Sequence, residues 1–233
     1  STGRPKGAML DHRGPVNTVV DVNDRFGIGP DDVFLGVSSL CFDLSVYDIF
    51  GAVAAGATLV LPPAGADPAG WLELTRRHRV TVWNSVPALM QLLVDEATAA
   101  GVQLPSLRTV LLSGDWIPVA LPGRIRSVAP NARVIGLGGA TEASIWSICH
   151  PIDRVDPGWA SIPYGRPMTN QSWHILDAYG RDAPVWTAGE LHIGGAGVAL
   201  GYLGDPERTA AAFVTHPGTG ERLYRTGDLG RYL

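Results

Sequence analysis

Between residues 33 and 137, five short apolar runs, at 33–37, 58–61, 80–83, 109–112 and 133–137, are separated by stretches whose apolar residues recur at helical spacing. This alternation constrains the fold more than any other feature. Short continuous apolar runs read as strands buried on both faces, and spacers of about 10–15 residues are long enough for crossover helices. The implied architecture is α/β, βαβ units that build a parallel sheet covered on both faces. The first expected helix, at 12–26, carries Val16, Val19, Val20 and Phe26 with Asn23 as a polar exception. The second carries the stripe Phe42, Val46, Ile49, Phe50 and Val53. Three more are expected at 71–78, 87–100 and 121–128.

After about residue 150 the texture changes. Pro151, Pro157, Pro163 and Pro167 break the chain, and the runs at 173–176, 190–193 and 222–224 are short and alternating. This part reads as small antiparallel sheets or a distorted barrel, with one helix near 206–213. The expected division is a loop and helix at 1–29, a parallel-sheet subdomain at 30–155, and a β-barrel-like subdomain at 156–233. With 29 Gly and 18 Pro, many connections are turns and backbone-built sites.

Composition removes whole classes of function. A chain 45% hydrophobic and 17% charged does not stay disordered. A net charge of −4 without runs of like charge argues against nucleic acid and against a charged membrane surface. No apolar run is long enough to span a bilayer, so the expected location is cytoplasmic, with no membrane partner. Cys41 and Cys149 form neither a disulfide framework nor a metal-ligand spacing and read as buried thiols.

Four segments carry chemistry. Ser1-Thr2-Gly3-Arg4-Pro5-Lys6-Gly7 combines hydroxyls, glycines and a lysine, the donors that grip phosphate, without matching the Walker pattern; a terminal tail is the alternative. Asp43, in Phe42-Asp43-Leu44-Ser45, either caps a helix or pairs with a substrate ammonium. Gly138-Gly139-Ala140-Thr141-Glu142 lies at a strand's carboxyl end, where open α/β sheets bind ligands; Thr141 suits phosphate and Glu142 suits Mg²⁺, or the segment is a turn with a Thr cap. Asp228, in Tyr224-Arg225-Thr226-Gly227-Asp228, either holds ribose hydroxyls or closes a turn. The glycines at 194, 195, 197 and 201 miss the dinucleotide fingerprint because the third falls one residue late.

In this order and spacing, together with Gly189-Glu190-Leu191 and Gly201-Tyr202-Leu203, these segments closely resemble successive core motifs of the adenylation domains of nonribosomal peptide synthetases. Those domains share the adenylate-forming superfamily with acyl-CoA ligases and luciferases. The resemblance covers essentially the whole chain, and it implies that 30–155 form an αβαβα layer and 156–233 part of a small β-barrel, both belonging to the family's N-terminal core. It implies that an amino-acid carboxylate attacks the α-phosphate of ATP, releasing pyrophosphate, and that the aminoacyl adenylate passes to the phosphopantetheine thiol of a peptidyl carrier protein.

Carried over residue by residue, Ser1, Thr2, Gly3, Lys6 and Gly7 would grip the β- and γ-phosphates. Thr141 would contact the α-phosphate, Glu142 would hold Mg²⁺, and Asp228 would hold the ribose, with Lys6, Thr141 and Glu142 as the catalytic set. The family carries an aromatic residue before Gly-Pro-Thr-Glu, where this chain has Gly138 before Gly139-Ala140-Thr141-Glu142. Adenine is therefore expected on the backbone around Gly114 or on Tyr224.

The same alignment gives a substrate pocket of Asp43, Leu44, Tyr47, Asn84, Leu111, Ser113, Leu137, Ile145 and Trp146, a set that resembles the signature of cysteine-activating domains. Asp43 would anchor the α-ammonium, and Tyr47, Asn84 and Ser113 would add polar contacts. A condensation or cyclisation domain is a further partner that the resemblance implies. It also implies that the chain is the middle of a larger domain, with the first half of the core before Ser1 and the catalytic-lysine subdomain beyond Leu233, leaving apolar surface exposed. An acyl- or aryl-CoA ligase and a non-catalytic scaffold fragment are the alternatives.

Overall fold

The computed structural model describes residues 5–65 and 67–233. In chain order the first elements are β1 (Ala8–Met9), α1 (Arg13–Phe26), β2 (Val33–Leu35), α2 (Leu44–Ala55), β3 (Thr58–Val60), α3 (Pro68–Arg77), β4 (Val82–Ser85) and α4 (Pro87–Ala99). Then come β5 (Thr109–Leu112), α5 (Leu121–Val128), β6 (Arg133–Gly138), β7 (Ile148–Pro151), β8 (Arg166–Pro167), β9 (Gln171–Leu176), β10 (Gly189–Gly195), β11 (Gly201–Tyr202), α6 (Pro206–Ala212), β12 (Phe213–Thr215) and β13 (Arg222–Gly230).

These elements fall into two compact units, and the division is less simple than one cut near residue 155. One unit contains Val19–Gly138 and Cys149–Arg166; the other contains 5–18, Gly139–Ile148 and Pro167–Leu233. The segment after β6 returns to the larger sheet, where the Ile152 N–H donates to the Val134 carbonyl at 2.8 Å.

The sheet of the first unit has the order β3-β2-β4-β5-β6-β7-β8, and its pairs from β3 to β6 are parallel, as the strand–helix alternation predicts. Side chains alternate across a strand, so register decides which residues share a face. Leu35, Trp83, Val110 and Val134 form one row across four strands, and all four belong to a core shared with Leu72 of α3, Leu93 of α4 and Ile125 of α5. The next row, Asn84, Leu111 and Ile135, points to the opposite face, where α2 packs.

The helix bounds follow local chemistry. α3 starts before the expected 71 because Asp67 accepts the Gly70 N–H at 2.9 Å as a cap and Pro68 occupies the first turn. β4 starts later than 80 because the Val80 N–H closes α3 on the Thr75 carbonyl. α2 departs most from expectation. Its apolar stripe faces outward, with Phe42, Phe50 and Val53 exposed, while Leu44, Ser45, Tyr47, Asp48, Gly51 and Ala52 are buried. Cys41 is likewise exposed rather than buried; Cys149 is buried.

The other unit holds a four-stranded antiparallel sheet, β12-β13-β10-β9, and the antiparallel pair β1-β11. Its core gathers Ile193, Tyr202, Phe213 and Tyr224. No helix among the described residues is long and apolar enough to cross a membrane.

A buried charge ties the sheet's amino-terminal edge. The Asp32 carboxylate accepts from Arg108 Nε at 2.8 Å and from Arg108 Nη2, from Thr81 Oγ1 at 2.5 Å and from the Gly29 N–H at 2.9 Å. Burial pushes this carboxyl up, but the hydrogen bonds from Arg108, Thr81 and Gly29 outweigh it and hold it below the usual carboxylate range. A depressed folded value stabilises above the unfolded pKa and is lost as pH falls through the folded one. Asp32→Asn is expected to lower stability by about 2 kcal/mol at pH 7. The difference from wild type should shrink in acid, as read from unfolding midpoints at the two pH values.

Candidate functional site

The strongest charge arrangement in the β-rich unit centres on Glu142. It lies in a single 3₁₀ turn, Thr141–Ala143, and is 5% exposed. Its Oε1 lies 2.5 Å from Lys6 Nζ and accepts the Tyr202 hydroxyl at 2.6 Å; Lys6 Nζ also donates to that hydroxyl at 3.1 Å. Lys6 thus comes from the start of the chain and Tyr202 from β11 to meet one carboxylate. Burial pushes Glu142 up, and the bonds from Lys6 and Tyr202 more than reverse this, so the carboxyl is held below the usual range. The Tyr202 phenol is pushed up to about 12, by burial first and then by Glu142.

The backbone after this turn is strained. Ser144 and Ile145 both have left-handed φ values, 63° and 72°, a conformation that a β-branched side chain rarely adopts. Neighbours over-determine it. The Ser144 hydroxyl donates to the Gly197 carbonyl at 2.7 Å, Thr18 donates to the Ser144 carbonyl at 2.8 Å, and a Cβ on Gly139 would lie 2.6 Å from the Ile145 oxygen. Gly139 is therefore a close-approach glycine, and Thr141, exposed beside it, belongs to the same held turn.

Asp228 sits at a bulge. Thr226, Gly227 and Asp228 of β13 face the single residue Leu191 of β10, with Gly227 at φ 80°. Thr226 donates to the Leu191 carbonyl and accepts the Asp228 N–H, leaving Asp228 exposed on the projecting loop. Tyr224 is placed differently from expectation. Its ring is buried against Phe213, with centroids 5.4 Å apart, and burial pushes its phenol up strongly. It forms part of this unit's core and offers no open face on which adenine could stack.

In the unit with the parallel sheet, α2 lies over the face that carries Asn84, Leu111 and, two residues further along their strands, Ser113 and Leu137. Asp43 precedes α2 in the capping position but makes no side-chain cap hydrogen bond, so capping does not account for this carboxylate. Leu44, Tyr47, Asn84, Leu111, Ser113 and Leu137 are all buried. Tyr47 is not free to contact a ligand through its hydroxyl, which donates to Asn23 Oδ1 at 2.8 Å; Asn23 in turn donates to the Gly51 carbonyl at 3.0 Å. Gly114 has φ 80° and is exposed, and Gly138 ends β6. Ile145 and Trp146 are buried in the β-rich unit. Ser1, Thr2 and Gly3 lie outside the described residues; Gly7 is exposed beside Lys6.

Sequence reasoning missed three residues. Tyr202 stood in a quoted motif without a role. Asn23 was the polar exception in a helical stripe, and Asp48 was a carboxylate on what proves to be the buried face of α2. Polar residues at core spacing were the signal.

His174, Asp182 and His216 bring ligand-type atoms within 4.8 Å of one another. However, His216 Nδ1 accepts the N–H groups of Gly218 and Thr219, which commits the ring proton to Nε2, the atom a metal would need. His174 Nε2 lies 3.1 Å from Glu221 Oε2. The cluster is a polar clamp under the β12–β13 turn.

The fold is that of an adenylate-forming ligase, and the AMP-binding enzyme family matches residues 1–203; the chain belongs to that family. Pyochelin synthetase PchF of Pseudomonas aeruginosa is 57% identical over 236 aligned residues, which take in 100% of this chain and 13% of that protein. The nonribosomal peptide synthetase FmoA3, solved in an AMPPNP-bound form, superposes with a TM-score of 0.97 at 55% identity over 100% of this chain and 25% of that one. Its form bound to α-methyl-L-serine-AMP gives 0.96 at 56%, over 100% and 27%. An artificially fused adenylation–carrier di-domain, NpsA-ThdA of Klebsiella oxytoca, gives 0.86 at 28% identity over 100% and 46%. The chain thus spans less than half of each of these proteins, and about an eighth of PchF.

The α2 face yields a sharp prediction. Gly51 lies in the interior of α2 and Gly123 in the first turn of α5, and Ala is ordinarily favoured over Gly within helices, by about 1 kcal/mol in the interior. A Cβ on Gly51 would lie 2.7 Å from the buried Tyr47 ring, whereas nothing lies within 4 Å of one on Gly123. Gly123→Ala is expected to raise the thermal midpoint and Gly51→Ala to lower it, by calorimetry.

Proposed function

We propose that this chain forms the phosphate-gripping and amino-acid-selecting part of an adenylation domain that activates L-cysteine with ATP and loads it onto a peptidyl carrier protein. The observation that carries the activation chemistry is the meeting of Lys6 and Tyr202 on Glu142. An ammonium beside a carboxylate that stays ionised is a setting for a polyphosphate and its counter-ion. Lys6 neutralises phosphate charge, the exposed Thr141 donates to the α-phosphate, and Asp228, projected by its bulge, takes the ribose hydroxyls. Such a site works by positioning and by fixed charge.

Mg²⁺ fits this donor set: it takes one or two hard carboxylate oxygens and fills its remaining positions with phosphate oxygens and water. Glu142 would hold it. When bound, it would neutralise charge developing on the departing pyrophosphate. The phosphopantetheine thiol of the carrier accepts the activated acyl group, and a condensation or cyclisation domain is the expected next partner. FmoA3, solved with AMPPNP and with α-methyl-L-serine-AMP, supports the activation reading.

The substrate reading rests on the α2 face. Asp43 is not engaged as a helix cap, which supports its role as anchor for an α-ammonium and disfavours an aryl or fatty acid. Leu44, Leu111 and Leu137 supply apolar walls, and Asn84 and Ser113 are buried polar groups among them. A small, soft thiol side chain suits that mixture.

In the full-length protein, pyrophosphate exchange over the twenty amino acids should be dominated by L-cysteine; dominance by another amino acid, or turnover that requires CoA, refutes the assignment. Asp43→Ala should cost on the order of 2–5 kcal/mol in kcat/KM. Unchanged activation in that variant would remove the anchor.

A further inference from the structure

Asp48 is outside the pocket set, yet it is the most confined carboxylate near it. It is 2% exposed on the buried face of α2, and its Oδ1 accepts from Asn84 Nδ2 at 2.8 Å. The second N–H of the same amide donates to the Leu44 carbonyl at 3.2 Å. The orientation of Asn84 is therefore forced, because the Leu44 carbonyl can only accept and a flipped amide would set oxygen against oxygen. Both donors of the amide are engaged, while Asn84 Oδ1, 1% exposed with its residue, has no hydrogen-bond partner. A buried, unpartnered acceptor is costly, and a ligand that donates to it relieves that cost.

We propose that Asp48 is a positioning residue: by holding the Asn84 amide, it leaves Oδ1 as that amide's one free polar atom, so that the pocket favours an amino acid whose side chain donates a proton, a thiol or hydroxyl, over an isostere that does not. This rests on the amino-acid-activating reading above and adds to it the sign of the side-chain contact. Burial pushes the Asp48 carboxyl up to about 7, against the pull of Asn84 and Ser38; with or without its proton, it keeps an oxygen that can accept from Asn84 Nδ2. An apolar residue at 48 would leave the amide held only by Leu44.

The test uses pyrophosphate exchange in the full-length protein with L-cysteine and with L-2-aminobutyrate, in which a methyl replaces the thiol. Asp48→Ala is expected to lower the cysteine-to-aminobutyrate ratio of kcat/KM by about tenfold, the discrimination of one hydrogen bond. The loss should appear in the KM for cysteine, with kcat little changed. Asp48→Asn, whose side-chain oxygen can still accept from Asn84, should restore the ratio. If Asp48→Ala does not fold, Asp48→Leu, which fills the volume, takes its place.

An unchanged ratio in the folded apolar variant, or Asp48→Asn as impaired as Asp48→Ala, overturns the proposal while leaving cysteine activation intact. If the wild type prefers another donor-bearing amino acid, the cysteine assignment falls, and the ratio is taken with that amino acid and its donor-free isostere, where an unchanged value overturns the positioning role separately. Preference for an amino acid with no side-chain proton to donate overturns both.

Discussion

A carboxylate removed from water must be compensated, and that demand organises the β-rich unit. Glu142 lies on a turn too short to supply its own partners, so they come from distant parts of the chain, Lys6 near the beginning and Tyr202 on β11. Bringing them in requires β1 to pair with β11, with Ala8 opposite Tyr202. Tyr224, packed on Phe213 across the β12–β13 ladder, closes the apolar side of the cluster. The left-handed backbone at Ser144 and Ile145 belongs to the same economy of space. It turns the chain immediately after the carboxylate, and the small residues Gly14, Gly139 and Gly197 let neighbouring backbone approach closely enough to hold it.

In the parallel-sheet unit, the corresponding constraint is parity. One row of register partners, Leu35 to Val134, is given to the helical core; the row beside it, Asn84 to Ile135, is left to α2. Because the period is two, Ser113 and Leu137 inherit the same face without further specification. The residues proposed for substrate contact in this unit follow from how the rows are assigned, together with the pitch of a single helix.

The alternation of short apolar runs and helical spacers made the parallel sheet and its crossover helices readable, because a doubly covered sheet leaves few other ways to bury such runs. 121–128 needed no adjustment, and 109–112 became β5 unchanged. Legibility failed where burial and hydrophobicity part company. On α2 the apolar stripe points outward and the buried face carries Ser45, Tyr47 and Asp48, so a rule that sends apolar residues inward chose the wrong side. Tyr224 failed for a related reason: an aromatic residue near a nucleotide motif reads as a stacking surface until a cross-strand partner such as Phe213 is known. The motif residues Lys6, Thr141, Glu142 and Asp228 were identifiable by type and order, but the convergence of Tyr202 on Glu142 depends on a pairing between β1 and β11 that two-residue strands do not announce.

The bulge in β13 has a consequence that concerns counting. Thr226, Gly227 and Asp228 stand opposite Leu191 alone, and these two residues in excess decouple the ends of the strand, so Tyr224 can face the core while Asp228 stands in solvent. Chemical identity at position 228 is thus only half of what places an acid there; the other half is an integer. Loss of one residue from this loop would shift every later position by one step of the pleat and send Leu229 and Gly230 to the wrong sides of the ladder, though no functional side chain had been altered. In this segment, length constrains the fold as strictly as residue identity does.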